Sequence, residues 1–150
     1  YSILKRDFTN PENIDQNNLI IFENNLCFET SDFQNNKFKK FYIISNKNEN
    51  RCIKLSEKVL KFKSSLIQDQ EQRFKNQSID CEVIDISEIK KIEKAVGLYP
   101  TIGENLDYLN SNTFKINFLY RELDQNSWQY CNKGFFNFKN YIPKIISTLN

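Results

Sequence analysis

The chain has 150 residues, of which 39% are hydrophobic, 14% aromatic and 27% charged; this excludes a disordered segment, which lacks the aromatic and β-branched residues that offset ordering entropy, and fits one folded domain. Its 21 basic and 19 acidic residues are interspersed and leave a net charge of +2, too little for a strong sequence-independent pull on nucleic-acid phosphates. With no histidine and four widely spaced cysteines, Cys27, Cys52, Cys81 and Cys131, the sequence lacks Ser-His and Cys-His nucleophile pairs, a CxxC dithiol and the usual zinc-ligand spacings, so no metal or cofactor is implied.

Residues 1–18 carry Pro11 and several Asn and Asp with little periodicity, and read as an irregular N-terminal arm ahead of a domain over 19–150. Leu19-Ile20-Ile21-Phe22 and Leu26-Cys27-Phe28 are apolar clusters separated by Glu23-Asn24-Asn25, suited either to a strand bending into a helix or to a short hairpin. Phe38 to Ser45 contains the run Phe41-Tyr42-Ile43-Ile44, which predicts a central strand covered on both faces. Beyond it Leu55, Val59, Phe62 and Leu66 recur at helical spacing, predicting a helix to about Asn76 that turns this stripe inward.

Ile79 to Ile86 predicts a second strand, and Ser87-Glu88 a short helix with Ile89, Ile92 and Val96 on one side, stopped by Gly97. After the polar stretch Gly103 to Thr113, the segments Phe114 to Arg121 and Ser127 to Cys131, joined by Leu123 to Asn126, predict an antiparallel hairpin. A last helix is expected from Asn137 to Leu149, with Tyr141, Ile145 and Leu149 repeating and Pro143 tolerated near its start. The order is a βαβ crossover followed by ββα. No run approaches the roughly 18 apolar residues of a membrane-spanning helix. The chain opens at Tyr1 with no signal-peptide pattern and contains no methionine, which suggests a removed leader or a piece of a longer chain.

The segment Val83-Ile84-Asp85, Glu88, Ile92 and Val96-Gly97-Leu98-Tyr99-Pro100-Thr101-Ile102 resembles the thioredoxin superfamily, particularly the domains of protein disulfide isomerases, in its V-x-D strand end and its V-x-x-Y-P-T sequence. Cys52-Ile53-Lys54-Leu55 is similar to the stretch after the family's redox motif, and Tyr130 with Gly134 to its Y-x-G turn. The resemblance covers about residues 38–148. It implies an α/β, thioredoxin-like three-layer sandwich with a central mixed β-sheet flanked by helices. It also implies a cis Tyr99–Pro100 bond beside the start of the first long helix. The polar stretch from Gly103 looks like an insertion relative to the family.

The departure from the family carries the functional expectation. If Cys52 occupies the second cysteine position of CxxC, the first falls on Glu49, and Glu49-Asn50-Arg51-Cys52 has no second thiol to complete a dithiol cycle. The resemblance therefore implies a redox-inactive domain that binds a protein partner or joins a larger assembly, with Glu49, Arg51, Cys52, Tyr99, Pro100 and Thr101 as the contact surface. An endoplasmic reticulum or other organelle lumen goes with that kinship. The alternatives are a monothiol or glutathione-dependent oxidoreductase using Cys52, its thiolate favoured by a helix N-terminus and Arg51, and a small nucleic-acid-binding barrel.

Lesser signals have ordinary readings beside functional ones. Lys37, Lys39 and Lys40 beside Phe38 and Phe41 read as a nucleic-acid surface or as the solvated edge of a strand. Trp128 and Tyr130 read as a partner anchor or as packing under the last helix. Cys27 and Cys81 fall in segments that would be neighbouring strands, where a disulfide or two free thiols are both compatible; the sequon Asn76-Gln77-Ser78 matters only in a secretory compartment.

Overall fold

A computed structural model describes residues 8–131 and 133–148. They fall into two compact units, Pro11–Leu119 and a second made of Tyr1–Asn10 with Tyr120–Asn150; the boundary expected at residue 18 lies inside the first. Residues 1–7 of the expected arm, and Leu149 of the expected last helix, lie outside the described residues.

The first unit holds strands β1 (Asn18–Phe22), β2 (Lys40–Ser45), β3 (Cys81–Asp85), β4 (Ala95–Leu98) and β5 (Asn117–Leu119), in the order β3-β2-β1-β4-β5. Every neighbouring pair is parallel. Parallel strands need crossovers, and these put α1 (Glu57–Asn76), α2 (Glu104–Ser111) and 3-10 turns at Phe28–Thr30 and Ile86–Lys91 between successive strands. Both faces are therefore covered, which is why β1 is a continuous apolar run with Leu19, Ile20, Ile21 and Phe22 all fully buried. Leu19, Ile21, Phe41, Ile43, Val96 and Leu98 share a cluster with Phe28, Ile67 and Phe74, while Ile20, Phe22 and Ile44 share another with Ile86, Ile89 and Leu109. The layering is an α/β sandwich.

The sheet is parallel throughout and not mixed, because the expected hairpin does not form. Phe114 to Arg121 contributes only β5, the expected turn and the first two residues of the expected second strand lie in helix α3 (Glu122–Trp128), and Gln129 to Cys131 form a turn. The sequence Glu-Leu-Asp-Gln-Asn-Ser has no β-branched residue, and Glu122 and Asp124 lie in the first turn, where the helix dipole favours carboxylates. With two free edges, at β3 and β5, the sheet is open, so the nucleic-acid barrel is also corrected.

Gly97 does not stop a helix; it lies inside β4, where an added Cβ would sit 3.1 Å from Ile116 Cγ2. The presumed insertion is helix α2. Leu26-Cys27-Phe28 leads into a 3-10 turn and not a hairpin, since β1 pairs only with parallel neighbours.

Helix α1 runs as expected to Asn76, but a different face turns inward. Ile67, Gln70 and Phe74 are buried, whereas Val59, Phe62 and Leu66 are exposed, Phe62 by 63%. The buried Gln70 is satisfied: its amide donates to Glu29 Oε1 at 2.9 Å and accepts from Arg73 Nη2 at 2.7 Å, and that same Arg73 nitrogen donates to the Leu26 carbonyl at 2.7 Å. Burial pushes the Glu29 carboxyl up, but its own backbone N–H, Gln70 and Arg73 outweigh this and hold it below the usual carboxylate range. Phe28, Phe38 and Phe41 meet in edge-to-face pairs and Lys40 pairs with Glu82 at 2.8 Å, so the Lys37–Phe41 segment is the entry into an interior strand, its phenylalanines in the core and Lys37 and Lys39 exposed.

The second unit contains α3, α4 (Phe135–Lys139) and α5 (Ile142–Ser147). The expected continuous helix is split in two. Pro143 lacks the N–H that an uninterrupted helix would bond to Lys139; placed in the first turn of α5, it loses nothing. Trp128 packs on Phe8 and Tyr120 with ring centroids 4.6 and 6.0 Å away, and Tyr130 stacks on Tyr141 at 4.3 Å. Among the described residues no helix is long and apolar enough to cross a membrane.

The register of α1 is open to test by chemical denaturation. Phe74→Ala should lower stability by about 3–5 kcal/mol, and Phe62→Ser should stay within about 0.5 kcal/mol of wild type. The reverse ranking would return the Val59–Leu66 stripe to the core.

Candidate functional site

Strands β2 and β3 lie on one side of β1, and β4 and β5 on the other, so the chain reverses its winding direction between β1 and β4. Connections leaving these two strands diverge and open a crevice at their carboxyl ends. The residues that follow the strands are Glu23-Asn24-Asn25 after β1, Asn46-Lys47 after β2 and Tyr99-Pro100-Thr101 after β4.

Arg51 spans this edge. Its Nη2 donates to both oxygens of Glu23 at 2.8 and 2.9 Å, its Nη1 to Glu104 Oε2 at 2.6 Å and its Nε to the Asn46 carbonyl at 3.0 Å. The side chains of Arg51 and Glu23 are 2% and 5% exposed, and Lys63 from α1 donates to the same Glu23 carboxylate at 2.9 Å. The segment carrying Arg51 is fixed by Asn48, which accepts from the Leu55 N–H and donates to the Leu55 carbonyl, both at 2.9 Å.

Across the crevice, Asn25 donates to the Tyr99 carbonyl at 3.0 Å, and Asn24 donates to the Pro100 carbonyl and to Thr101 Oγ1. Thr101 takes φ +61°, a left-handed conformation that a β-branched residue adopts only where its surroundings impose it. Asn46, at the end of β2, donates to Asn105 Oδ1 of α2 at 3.2 Å. At the end of β3, Asp85 Oδ1 accepts from Ser87 N at 3.0 Å, Ser87 Oγ at 2.6 Å and Asn50 at 2.9 Å. Burial pushes the Asp85 carboxyl up, and these donors, with Lys47 nearby, more than reverse it and hold it low.

The predicted site residues divide. Arg51 and Pro100 line one cavity of about 300 Å3 with Glu23, Leu55, Ile102 and Glu104. Cys52 lines a separate one of about 220 Å3 with Ile53, Glu104 and Asp107. Glu49 is exposed in the 3-10 turn Asn48–Asn50, and Thr101 is exposed. Tyr99 is half-buried with its ring 5.4 Å from Phe118.

Two expectations are corrected. The Tyr99–Pro100 bond is trans, no peptide bond among the described residues being cis; the turn is made instead by the positive φ of Thr101. Cys52 lies ahead of α1, which begins at Glu57, and so does not stand at the helix N-terminus expected for it. All four cysteines are free; Cys27, Cys52 and Cys131 are exposed, while burial, and then Glu71, push the Cys81 thiol up.

Sequence reasoning missed Glu23, Lys63, Glu104, Asn24, Asn25, Asn46 and Asn105. A signal existed for Glu23, a carboxylate placed directly after four apolar residues at the end of a buried strand. Among the described residues no cluster of His, Cys, Asp and Glu is arranged to hold a metal ion. A scan against protein-family models finds no match, and searches of curated proteins and of solved structures find none.

Arg51→Met should destabilise the fold by about 3–5 kcal/mol in urea unfolding, because it leaves Glu23 and Glu104 without their shared cation; a loss below about 1 kcal/mol would show the lattice to be solvated. Asp85 has a lowered folded-state pKa, so its contribution is complete above the pH at which an unfolded aspartate ionises and disappears as pH falls through the folded value. Asp85→Asn should accordingly lower stability at neutral pH and flatten the loss of stability below about pH 4, read from unfolding midpoints across that range.

Proposed function

We propose that this chain is a redox-inactive α/β module that binds a protein partner over the carboxyl edge of its sheet. The observation that carries this reading is the exposure of two large apolar side chains, Ile53 by 71% and Ile102 by 91%, beside the buried Glu23–Arg51–Glu104 lattice. Ile102 lines the cavity with Arg51 and Pro100, and Ile53 the cavity with Cys52. Apolar side chains around a rigid polar centre suit a protein surface better than open water.

The redox-inactive part rests on Glu49 falling where the resemblance puts the attacking cysteine, and on Cys52 having no cysteine beside it in the sequence to resolve a mixed disulfide. Kinship with the redox-inactive members of the thioredoxin superfamily is part of the proposal and rests on the Val83–Ile102 segment alone. The parallel strand order supports a binding domain of the broader α/β class.

The test uses a photo-crosslinking amino acid at position 102 in cells to capture the partner, followed by affinity measurements with that purified partner. Ile53→Asp with Ile102→Asp should weaken binding at least about tenfold without moving the unfolding midpoint, and Cys52→Ser should leave it unchanged. Undiminished binding by the double variant would overturn the reading. Steady glutathione-dependent disulfide turnover that Cys52→Ser abolishes would replace it with the monothiol enzyme.

A further inference from the structure

The second unit ends in a segment with a chemistry of its own. From Gln125 to Asn150 the sequence carries three lysines, Lys133, Lys139 and Lys144, and no aspartate or glutamate, although acids and bases nearly balance over the whole chain. All three lysines are exposed, and none holds an ion pair among the described residues; Lys144 reaches the Tyr130 ring, 5.6 Å from its centroid. Positive charge with no counter-charge in its own segment attracts an anionic partner.

The same segment exposes two phenylalanines. Phe135 and Phe136 are 66% and 85% exposed, and their rings meet edge to face with centroids 5.8 Å apart, so they form one wedge. Gly134 turns the chain into α4 with φ +78° and ψ 172°, a conformation open almost only to glycine, and Lys133 to Phe136 are exposed without a break. Lys139 follows Phe135 by four residues and Phe136 by three, which puts it on their side of α4. Its long stem lets the ammonium stay in water while the rings are buried.

From this juxtaposition we propose that the second unit docks on an anionic lipid bilayer, with Phe135 and Phe136 inserted at the interface and Lys133 and Lys139 against the headgroups. Peripheral binding of this kind adds apolar burial to attraction for anionic lipid. The exposure favours a bilayer over a protein: a ring standing as clear of its own surface as Phe136 needs a deep pocket in a protein, whereas a lipid interface yields around it. Charge selects the kind of bilayer, because a zwitterionic surface leaves the lysines without a partner. Neither Ile53 nor Ile102 takes part, so vesicle binding stands or falls apart from the protein surface proposed above.

The experiment sediments the full chain with vesicles of phosphatidylcholine alone and of phosphatidylcholine mixed with phosphatidylserine. Binding at least about tenfold tighter to the mixed vesicles is expected. Phe135→Ser with Phe136→Ser should weaken that binding at least about tenfold, with an unchanged unfolding midpoint. Lys133→Glu with Lys139→Glu should erase the preference for phosphatidylserine. Ile53→Asp with Ile102→Asp should leave vesicle binding untouched, which separates this surface from the one at the carboxyl edge. No binding to the mixed vesicles, equal binding to both kinds, or binding indifferent to the phenylalanine pair would each overturn the proposal. So would reproducible capture of one protein by a photo-crosslinking amino acid at position 136 in cells, which would assign the wedge to a protein partner.

Discussion

The carboxyl edge of this molecule depends on one arginine placed between two carboxylates. A sheet wound in opposite directions from its centre separates the connection after β1 from the connection after β4, and nothing in the strand ladder fixes the width of the gap. Arg51 does so, reaching Glu23 at the end of β1, the Asn46 carbonyl at the end of β2 and Glu104 in the first turn of α2. Only a planar fork with several fixed donors can meet three acceptors in different directions; a lysine would offer the same charge from a single atom. Burying the lattice is expensive, and attraction within it returns much of that cost only because the geometry is good and the spare donors are used. Its main effect is therefore geometric, fixing where the surrounding loops stand.

The abundance of asparagine looks in the sequence like a compositional bias with no local meaning. At the carboxyl edge it has one. Asn24 and Asn25 hold the carbonyls of Pro100 and Tyr99, Asn48 closes the loop onto Leu55, and Asn50 reaches Asp85. Each amide replaces a hydrogen bond that a loop carbonyl or carboxylate would otherwise take from water, and so lets irregular backbone stay ordered beside a buried ion pair. The same side chains permit the strained Thr101, since its neighbour's carbonyl and its own hydroxyl are both bonded to Asn24.

How much of this was legible follows from where the physical signal is local. Strands β1 and β2 are readable because a parallel strand covered on both faces is a largely apolar run, and the edge strand β3 because of its β-branched Val83 and Ile84. Ala95–Leu98 and Asn117–Leu119 are too short to show a period, and a glycine inside the former reads as punctuation until Ile116 is seen packed against it. The face of α1 was misread because Val59, Phe62 and Leu66 form the cleaner apolar stripe, while the true inner face includes Gln70, whose burial is intelligible only once Glu29 and Arg73 are beside it. Arg51 and Pro100 were brought together by resemblance to a known pattern. Glu23 and Glu104 were not, because they meet Arg51 from 28 and 53 residues away, and ion pairing leaves no periodic trace.

The two halves of α1 meet different surroundings, and that difference organises the edge. Its second half is clamped, with Phe74 fully buried and Gln70 and Arg73 tied to Glu29 and Leu26. Its first half stands over a cavity of about 480 Å3, touching the edge chiefly through the Lys63–Glu23 pair. Glu23, Arg51 and Lys63 line both that cavity and the one beside Pro100 and Ile102. These three side chains are thus a wall that the two cavities share, and the Lys63–Glu23 pair ties the first half of α1 to it.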